Sequence, residues 1–224
     1  MKIACISDTH NQRLLNMALP DADILLHAGD WTGQGSVLEV EQFNSFCGQV
    51  KDKYKYGIWA TGGNHDFLAE KQFSLCKDIL TNCNLMIDNS VELEGINFWF
   101  SPHQPWFYDW AFNLRRGKPL EEKWAQIPDN TNVLITHGGP KFHLATTVSG
   151  EDVGDLDLYN RILNLNDLKL HVFGHIHCGY GVDESISGII YANSSICNEQ
   201  YKPVNKALLF DYDAITGKIV QLQY

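Results

Sequence analysis

Five apolar runs in this chain each end in a short loop carrying Asp, Asn or His, and this repetition limits the fold more than any other feature. The five ends are Asp8–Thr9–His10, Gly29–Asp30, Gly63–Asn64–His65–Asp66, His137–Gly138–Gly139 and Gly174–His175–Ile176–His177. Short apolar runs bounded by glycine read as buried strands. Ile3–Ser7, Asp23–His27 and Gly57–Thr61 are the first three, and segments of helical spacing follow them: Gln12–Ala18, Val37–Val50 and Phe67–Leu80. Strand, loop and helix repeated three times predict a largely parallel sheet. Function in such sheets gathers at the carboxyl ends of the strands. If the strands are parallel neighbours, all five loops face one crevice.

The middle of the chain changes character. Val91–Leu93 and Ile96–Phe100 flank Glu94–Gly95, a hairpin signal. Pro102–Phe112 follows, an aromatic stretch too irregular for a clean strand or helix. Leu120–Gln126 and Leu158–Leu165 read as short helices, and Asn132–Thr136 and Leu170–Phe173 as strands. The tail is strand-rich, with Ile189–Asn193, then Lys206–Tyr212 and Lys218–Gln223 joined at Thr216–Gly217. No repeat, low-complexity tract or linker interrupts this order, so one domain over residues 1–224 is expected.

Composition narrows the function. At 44% hydrophobic residues the chain can bury a sizeable core. It has no apolar run of about 18 residues, so no membrane-spanning helix is expected. Met1 runs straight into the strand-like Lys2–Ser7 with no secretory pattern, which predicts a cytoplasmic protein. The six cysteines include no CxxC pair and read as reduced, mostly buried thiols. A net charge of −10 disfavours general nucleic-acid binding, which needs a basic footprint. A small anionic substrate remains compatible if bound cations reverse the local field.

Carboxylate, amide oxygen and imidazole together suit divalent metals such as manganese, iron or zinc. Asp8 and His10 lie two apart, so in an extended stretch both side chains leave on one side and can clasp one ion. His175 and His177 share that spacing. Glycines beside these residues permit tight turns and close approach of a bound anion.

The ordered set D-x-H, G-D, G-N-H-[E/D], T-H-G and G-H-x-H resembles the calcineurin-like metallophosphoesterase superfamily over nearly the whole chain. His27–Ala28–Gly29–Asp30, Pro105–Trp106–Phe107 with Trp110, Thr136–His137–Gly138–Gly139–Pro140 and Asn193–Ser194–Ser195 resemble its branch of metallophosphoesterase domain-containing, class III phosphodiesterase proteins. The resemblance implies an α/β fold, a mixed β-sandwich flanked by helices in four layers, with a metal site at the strand ends. It implies two divalent ions, manganese first, with iron, zinc or magnesium as alternatives. One ion would take Asp8, His10 and His177, the other Asn64, His137 and His175, with Asp30 bridging. Protein phosphatases of the superfamily continue G-D into G-D-x-x-D-R-G; here Trp31–Thr32–Gly33 follows Asp30 and the phosphate-gripping Arg is missing. Some animal members of the closer branch carry glycine where His175 stands, so keeping the histidine implies that both metal positions are complete.

The implied chemistry is hydrolysis of small phosphodiesters, with cyclic nucleotides as candidates. A hydroxide shared by cations ~3.5–4 Å apart would attack phosphorus in line. His65, beside Asn64, is the candidate for protonating the leaving alkoxide. The alternatives are a phosphomonoesterase or pyrophosphohydrolase of the same fold, or a low-turnover nucleotide-binding scaffold. Asn64 and His65 are also candidate substrate contacts, and Trp106 and Phe107 would stack on a nucleobase unless the aromatic stretch is a satellite core under a loop. Asp66 reads as an N-cap for the helix from Phe67, with orientation of His65 as the other reading. His27 and His171 read as buried partners of metal ligands. His103 reads as a surface-loop residue, Cys178 as packing, and Glu151–Asp157 as a solvated acidic loop.

Overall fold

The computed structural model describes residues 1–12 and 18–224. The helix expected over Gln12–Ala18 falls largely outside the described residues. Two six-stranded sheets face each other. The first has the order β14(Ile219–Leu222), β13(Leu208–Tyr212), β1(Lys2–Ile6), β2(Ile24–His27), β3(Ile58–Ala60), β4(Asn84–Leu85). The second has the order β11(Gly181–Glu184), β12(Ile190–Asn193), β10(Leu170–Phe173), β9(Val133–Thr136), β6(Ile96–Ser101), β5(Asn89–Leu93).

In sheet one β1 to β4 are parallel and β13 and β14 are added antiparallel on one side, and in sheet two the parallel strands β6, β9, β10 and β12 are flanked by antiparallel β5 and β11. The parallel run expected of the first third is present as β1–β2–β3–β4, and the mixed sandwich implied by the resemblance is present with it, although the alternation alone does not disclose the second sheet. The reason is visible in β1, whose Ile3 and Cys5 point into the core between the sheets while Ala4 and Ile6 face the helices. Burial on both faces makes every position apolar and erases the alternation that would have revealed a second sheet. Sheet two behaves alike: Phe98 and Phe100 of β6 point inward, and Trp99 points out.

Helices form the outer layers. α1(Val37–Val50), α2(Phe67–Lys71) and α3(Phe73–Ile79) cover sheet one, and α4(Lys118–Trp124) and α5(Leu156–Ile162) cover sheet two. This is the helix–sheet–sheet–helix sandwich. α1 starts at a capping box, in which the Ser36 hydroxyl accepts from the Glu39 N–H and Glu39 accepts from the Ser36 N–H at 2.9 Å. The helix expected over Phe67–Leu80 is two pieces, because Gln72 leaves helical geometry at φ −142°, ψ 59°. The hairpin turns at Glu94 and Gly95, both at positive φ, as a two-residue turn of this hand requires.

Topology now sets the site. β1, β2 and β3 end on one side of the sandwich, and β9 and β10 end opposite them in the other sheet. The chain after β12 ties the two together, since the Ser7 N–H donates to the Ser194 carbonyl at 2.8 Å and the Ile196 N–H to the Ser7 carbonyl at 2.8 Å. Within the aromatic stretch, β7(Gln104–Pro105) and β8(Asn113–Leu114) pair and close a loop that returns on itself. Among the described residues no helix is long and apolar enough to cross a membrane. All six cysteines are free, and only Cys178 is exposed.

Candidate metal centre

Asp8, His10, Asp30 and His175 all have left-handed backbone, with φ of 52°, 43°, 58° and 67°. Each such residue costs about 1–3 kcal/mol and persists only where its surroundings hold it. The clasp expected from extended geometry is thus corrected: Asp8 and His10 converge through a tight turn, which the D-x-H spacing alone does not disclose. Backbone bonds hold that turn, with the Asp8 N–H donating to the Gly29 carbonyl at 3.0 Å and the His10 N–H to the Asp30 carbonyl at 2.9 Å. The His175 N–H donates to Asp8 Oδ2 at 3.0 Å. Gly174 is needed here, because a Cβ would lie 1.9 Å from Asp8 Oδ2. Gly63 is its counterpart, where a Cβ would lie 2.3 Å from Asp30 Oδ1.

The seven candidate ligands gather as two clusters sharing one carboxylate. In the first, His177 Nε2 lies 3.3 Å from Asp8 Oδ1 and 3.1 Å from His10 Nε2. In the second, Asn64 Oδ1 lies 2.9 Å from His137 Nε2 and 2.7 Å from His175 Nδ1. Asp30 Oδ2 reaches both, at 3.9 Å from His10 Nε2 and 3.4 Å from His137 Nε2.

These donors fit divalent cations. His177 Nδ1 donates to the Asn198 carbonyl at 2.9 Å, and His137 Nδ1 donates to the Ala28 carbonyl at 3.0 Å. A carbonyl only accepts, so the proton of each neutral ring sits at its back and the Nε2 lone pair faces the cluster. Lone pairs on nitrogen and oxygen then meet at about hydrogen-bond distance with no hydrogen between them, an arrangement that asks for protons or metal ions.

Ionisation follows from the same geometry. Burial pushes His10 down to about 4 against the pull of Asp30 and Asp8. Burial, with His137 adding to it, lowers His175 to about 3. Burial also opposes charge on His137 and His177, yet Asp30 lifts the first and Asp8 the second, each to about 9. Both carboxylates, despite burial, are held well below their usual range by these imidazoles. Protons on His137 and His177 therefore occupy the place of cations in the metal-free protein. Binding of two Mn²⁺ ions at pH 7 should release about two protons, and affinity should climb as pH rises toward about 9. Calorimetry in buffers of different ionisation enthalpy measures this. The fold of the metal-free protein obeys the same sign. Pairing of these two histidines stabilises it fully below pH 6.5 and ceases to do so as pH rises through about 9.

His65 sits beside the clusters. Its N–H donates to Asp30 Oδ1 at 2.8 Å, and its Nδ1 donates to the Gly33 carbonyl at 2.6 Å. That leaves Nε2 facing the site, 3.9 Å from Asp30 Oδ2. Asp66 caps nothing with its side chain, which corrects the N-cap reading. It accepts instead from the N–H groups of Asp30 (2.8 Å), Gly63 (2.8 Å) and Thr32 (2.9 Å) and from the Thr32 hydroxyl (2.7 Å). It therefore clamps the Asp30 loop to the Asn64 loop. The pull of tertiary donors outweighed the local capping preference.

His27 and His171 are fully buried and each meets a threonine next to a ligand: Thr9 Oγ1 at 2.9 Å and Thr136 Oγ1 at 2.7 Å. His103 lies off the site. It bonds the Phe112 carbonyl at 3.0 Å and Asp88 Oδ2 at 3.1 Å, so it anchors the aromatic loop. The acidic loop is only partly solvated, because Asp155 is buried and caps α5 through the Leu158 N–H.

Trp106 and Phe107 are 54% and 56% exposed and are not a satellite core. They line a cavity of about 660 Å³ whose floor includes Asp30, Asn64, His65, His175 and His177. Trp110 packs on His65 with ring centroids 4.3 Å apart. Tyr201, absent from the motifs, stands over the site with its ring 4.7 Å from that of His10 and 5.5 Å from that of His177. It lies six residues beyond Ser195, outside every motif, and the sequence carries no signal for it.

A helix-flanked double sheet whose strand ends carry two histidine–oxygen clusters around one carboxylate defines a metal-dependent phosphoric ester hydrolase. The chain belongs to the calcineurin-like phosphoesterase family, whose model matches residues 1–179. It is 37% identical over 234 residues to Metallophosphoesterase domain-containing protein 1 of Homo sapiens, covering 94% of this chain and 70% of that protein. In fold it is similar to an archaeal phosphodiesterase (TM-score 0.51, 16% identity, 99% of each chain). A dimetal phosphatase from Danio rerio is also similar (TM-score 0.52, 9% identity, 94% of this chain and 92% of that one).

Proposed function

We propose that this protein hydrolyses small phosphodiesters, nucleotide esters among them, using two divalent cations, with manganese as the first candidate. The observation carrying this reading is the single Asp30 carboxylate set between two separate donor clusters. Cations bound there would supply Lewis acidity and an acidified water. The chain supplies the rest. Asp8, His10 and His177 would hold one cation and Asn64, His137 and His175 the other, with Asp30 within reach of both. His65 presents Nε2 to the reacting phosphate, in position to pass a proton to the leaving alkoxide. Trp106 and Phe107 offer flat faces to a base, worth about 1–3 kcal/mol per stack.

The test is a matched pair of aryl phosphates, one diester and one monoester, with Mn²⁺-loaded protein. Faster turnover of the diester is expected, and faster turnover of the monoester would favour the phosphomonoesterase. A single retained ion with tightly held nucleotide and no turnover would mark the scaffold. Trp106→Ala should raise KM for a nucleotide diester about tenfold, the size of one lost stack, and that for the aryl diester less.

A further inference from the structure

One loop serves both donor clusters. His175 and His177 follow β10 two residues apart, yet His175 Nδ1 lies 2.7 Å from Asn64 Oδ1 in the second cluster and His177 Nε2 lies 3.3 Å from Asp8 Oδ1 in the first. The backbone at Ile176, between them, therefore sets the direction in which each ring leaves. His175 is left-handed at φ 67°, a conformation that its surroundings must hold.

Asn193 supplies that hold. It ends β12, which runs parallel to β10, so it pairs with Phe173 just below the loop. Its side chain is fully buried. Asn193 Nδ2 donates to the Ile176 carbonyl at 2.8 Å and to the Leu144 carbonyl at 3.1 Å. Asn193 Oδ1 accepts from the Ser195 N–H at 3.2 Å and from the Ser195 hydroxyl at 2.7 Å. Carbonyls face one atom of the amide and an N–H faces the other, so a single orientation fits. Both protons and both lone pairs are engaged, which leaves Asn193 nothing to offer a cation or a substrate directly.

The same residue reaches Asp8 through Ser195, which is also fully buried. Ser195 Oγ lies 2.9 Å from Asp8 Oδ2, the oxygen that accepts the His175 N–H at 3.0 Å. One hydroxyl proton serves Asp8 or Asn193, and the Ser195 N–H keeps the link to Asn193 when the proton turns to Asp8. Asp8, Ser195, Asn193 and the His175–Ile176 backbone thus close a ring of hydrogen bonds that spans both clusters.

We infer that Asn193 is a positioning residue shared by the two cation positions: it fixes the Ile176 peptide from which His175 and His177 diverge, and through Ser195 it orients Asp8. This rests on the two-cation reading above and adds to it a residue outside the ligand set on which both positions depend. Losing a ligand such as His137 strips one position. Losing Asn193 loosens both, because one peptide aims both imidazoles. Losing Ser195 frees Asp8 alone, which belongs to the first position.

The experiment titrates Mn²⁺ into the metal-free full chain by calorimetry, with thermal unfolding of each metal-free protein measured beside it. The wild type should bind two ions. Asn193→Ala and Asn193→Asp should each bind both ions about 10–100-fold more weakly, the usual effect of removing a group that orients metal ligands. Asn193→Asp keeps the size and the accepting oxygen but loses the amide protons, so it isolates the bond to Ile176. Ser195→Ala should weaken one ion and leave the other nearly unchanged. A folded Asn193→Ala protein with wild-type affinity for either ion would overturn the inference. Lowered thermal stability with unchanged affinity would mark a merely structural residue and overturn it as well. If neither Asn193 variant folds, Ser195→Ala decides, and two ions held at wild-type affinity there would overturn it. Fewer than two ions in the wild type would overturn the two-cation reading and this inference together.

Discussion

Asp30→Asn should lower kcat/KM by about 10³-fold or more, the several kcal/mol that a metal clamp on a phosphoryl group supplies. Metal content should fall at the same time, from two ions per chain to one or none. The substitution is nearly isosteric, and asparagine accepts the left-handed backbone that Asp30 adopts at φ 58°. The fold should therefore survive, with metal-free stability reduced below about pH 9, where Asp30 pairs with His137. What is removed is the one oxygen within 4 Å of imidazoles from both clusters, His10 and His137. His137 also loses the partner that lifts it to about 9, so its pKa should fall back. Metal analysis with steady-state rates decides the matter. An Asp30→Asn protein that keeps two ions and wild-type rates would remove the shared carboxylate from the account.

His65→Ala should behave differently. Its Nε2 lies near enough to His10 and Asp30 to approach an ion, but it is outside the seven expected ligands, so both ions should remain. The rate on alkyl diesters should drop by about 10²–10⁴-fold, the usual contribution of a positioned acid. Esters of nitrophenol, whose leaving group needs no proton, should lose far less. A second partner effect is built in: the bond from Nδ1 to the Gly33 carbonyl fixes the ring, so His65→Gln should not restore the alkyl rate. Equal losses across all leaving groups would assign His65 to the structure of the Asp30 loop, whose Oδ1 it binds through its own N–H.

The candidate donors were legible before the fold because Asp, Asn and His recur in order, each beside glycine or a second donor at the end of an apolar run. Asn64, His137 and His175 meet from three distant segments, yet each is marked locally by a neighbouring glycine. The sheet architecture was less legible. β1, β2 and β10 are apolar on both faces, and such strands carry no mark of which sheet they join. Asp66 misled because its neighbours fit a helix start, while its actual donors at Asp30 and Thr32 lie more than thirty residues away. Tyr201 left no trace for a similar reason. Its importance comes from a loop that folds back over His10, and nothing in its own surroundings in the chain records that approach. Short strands such as β4 and β7, two residues each, exist only through their tertiary partners and fall below any periodic signal.

The most direct measurement is anomalous diffraction from crystals of the protein grown with Mn²⁺. Two peaks are expected ~3.5–4 Å apart, one among Asp8, His10 and His177 and one among Asn64, His137 and His175, with Asp30 touching both. A single peak, or a pair placed elsewhere with Asp30 unbound, would contradict the account.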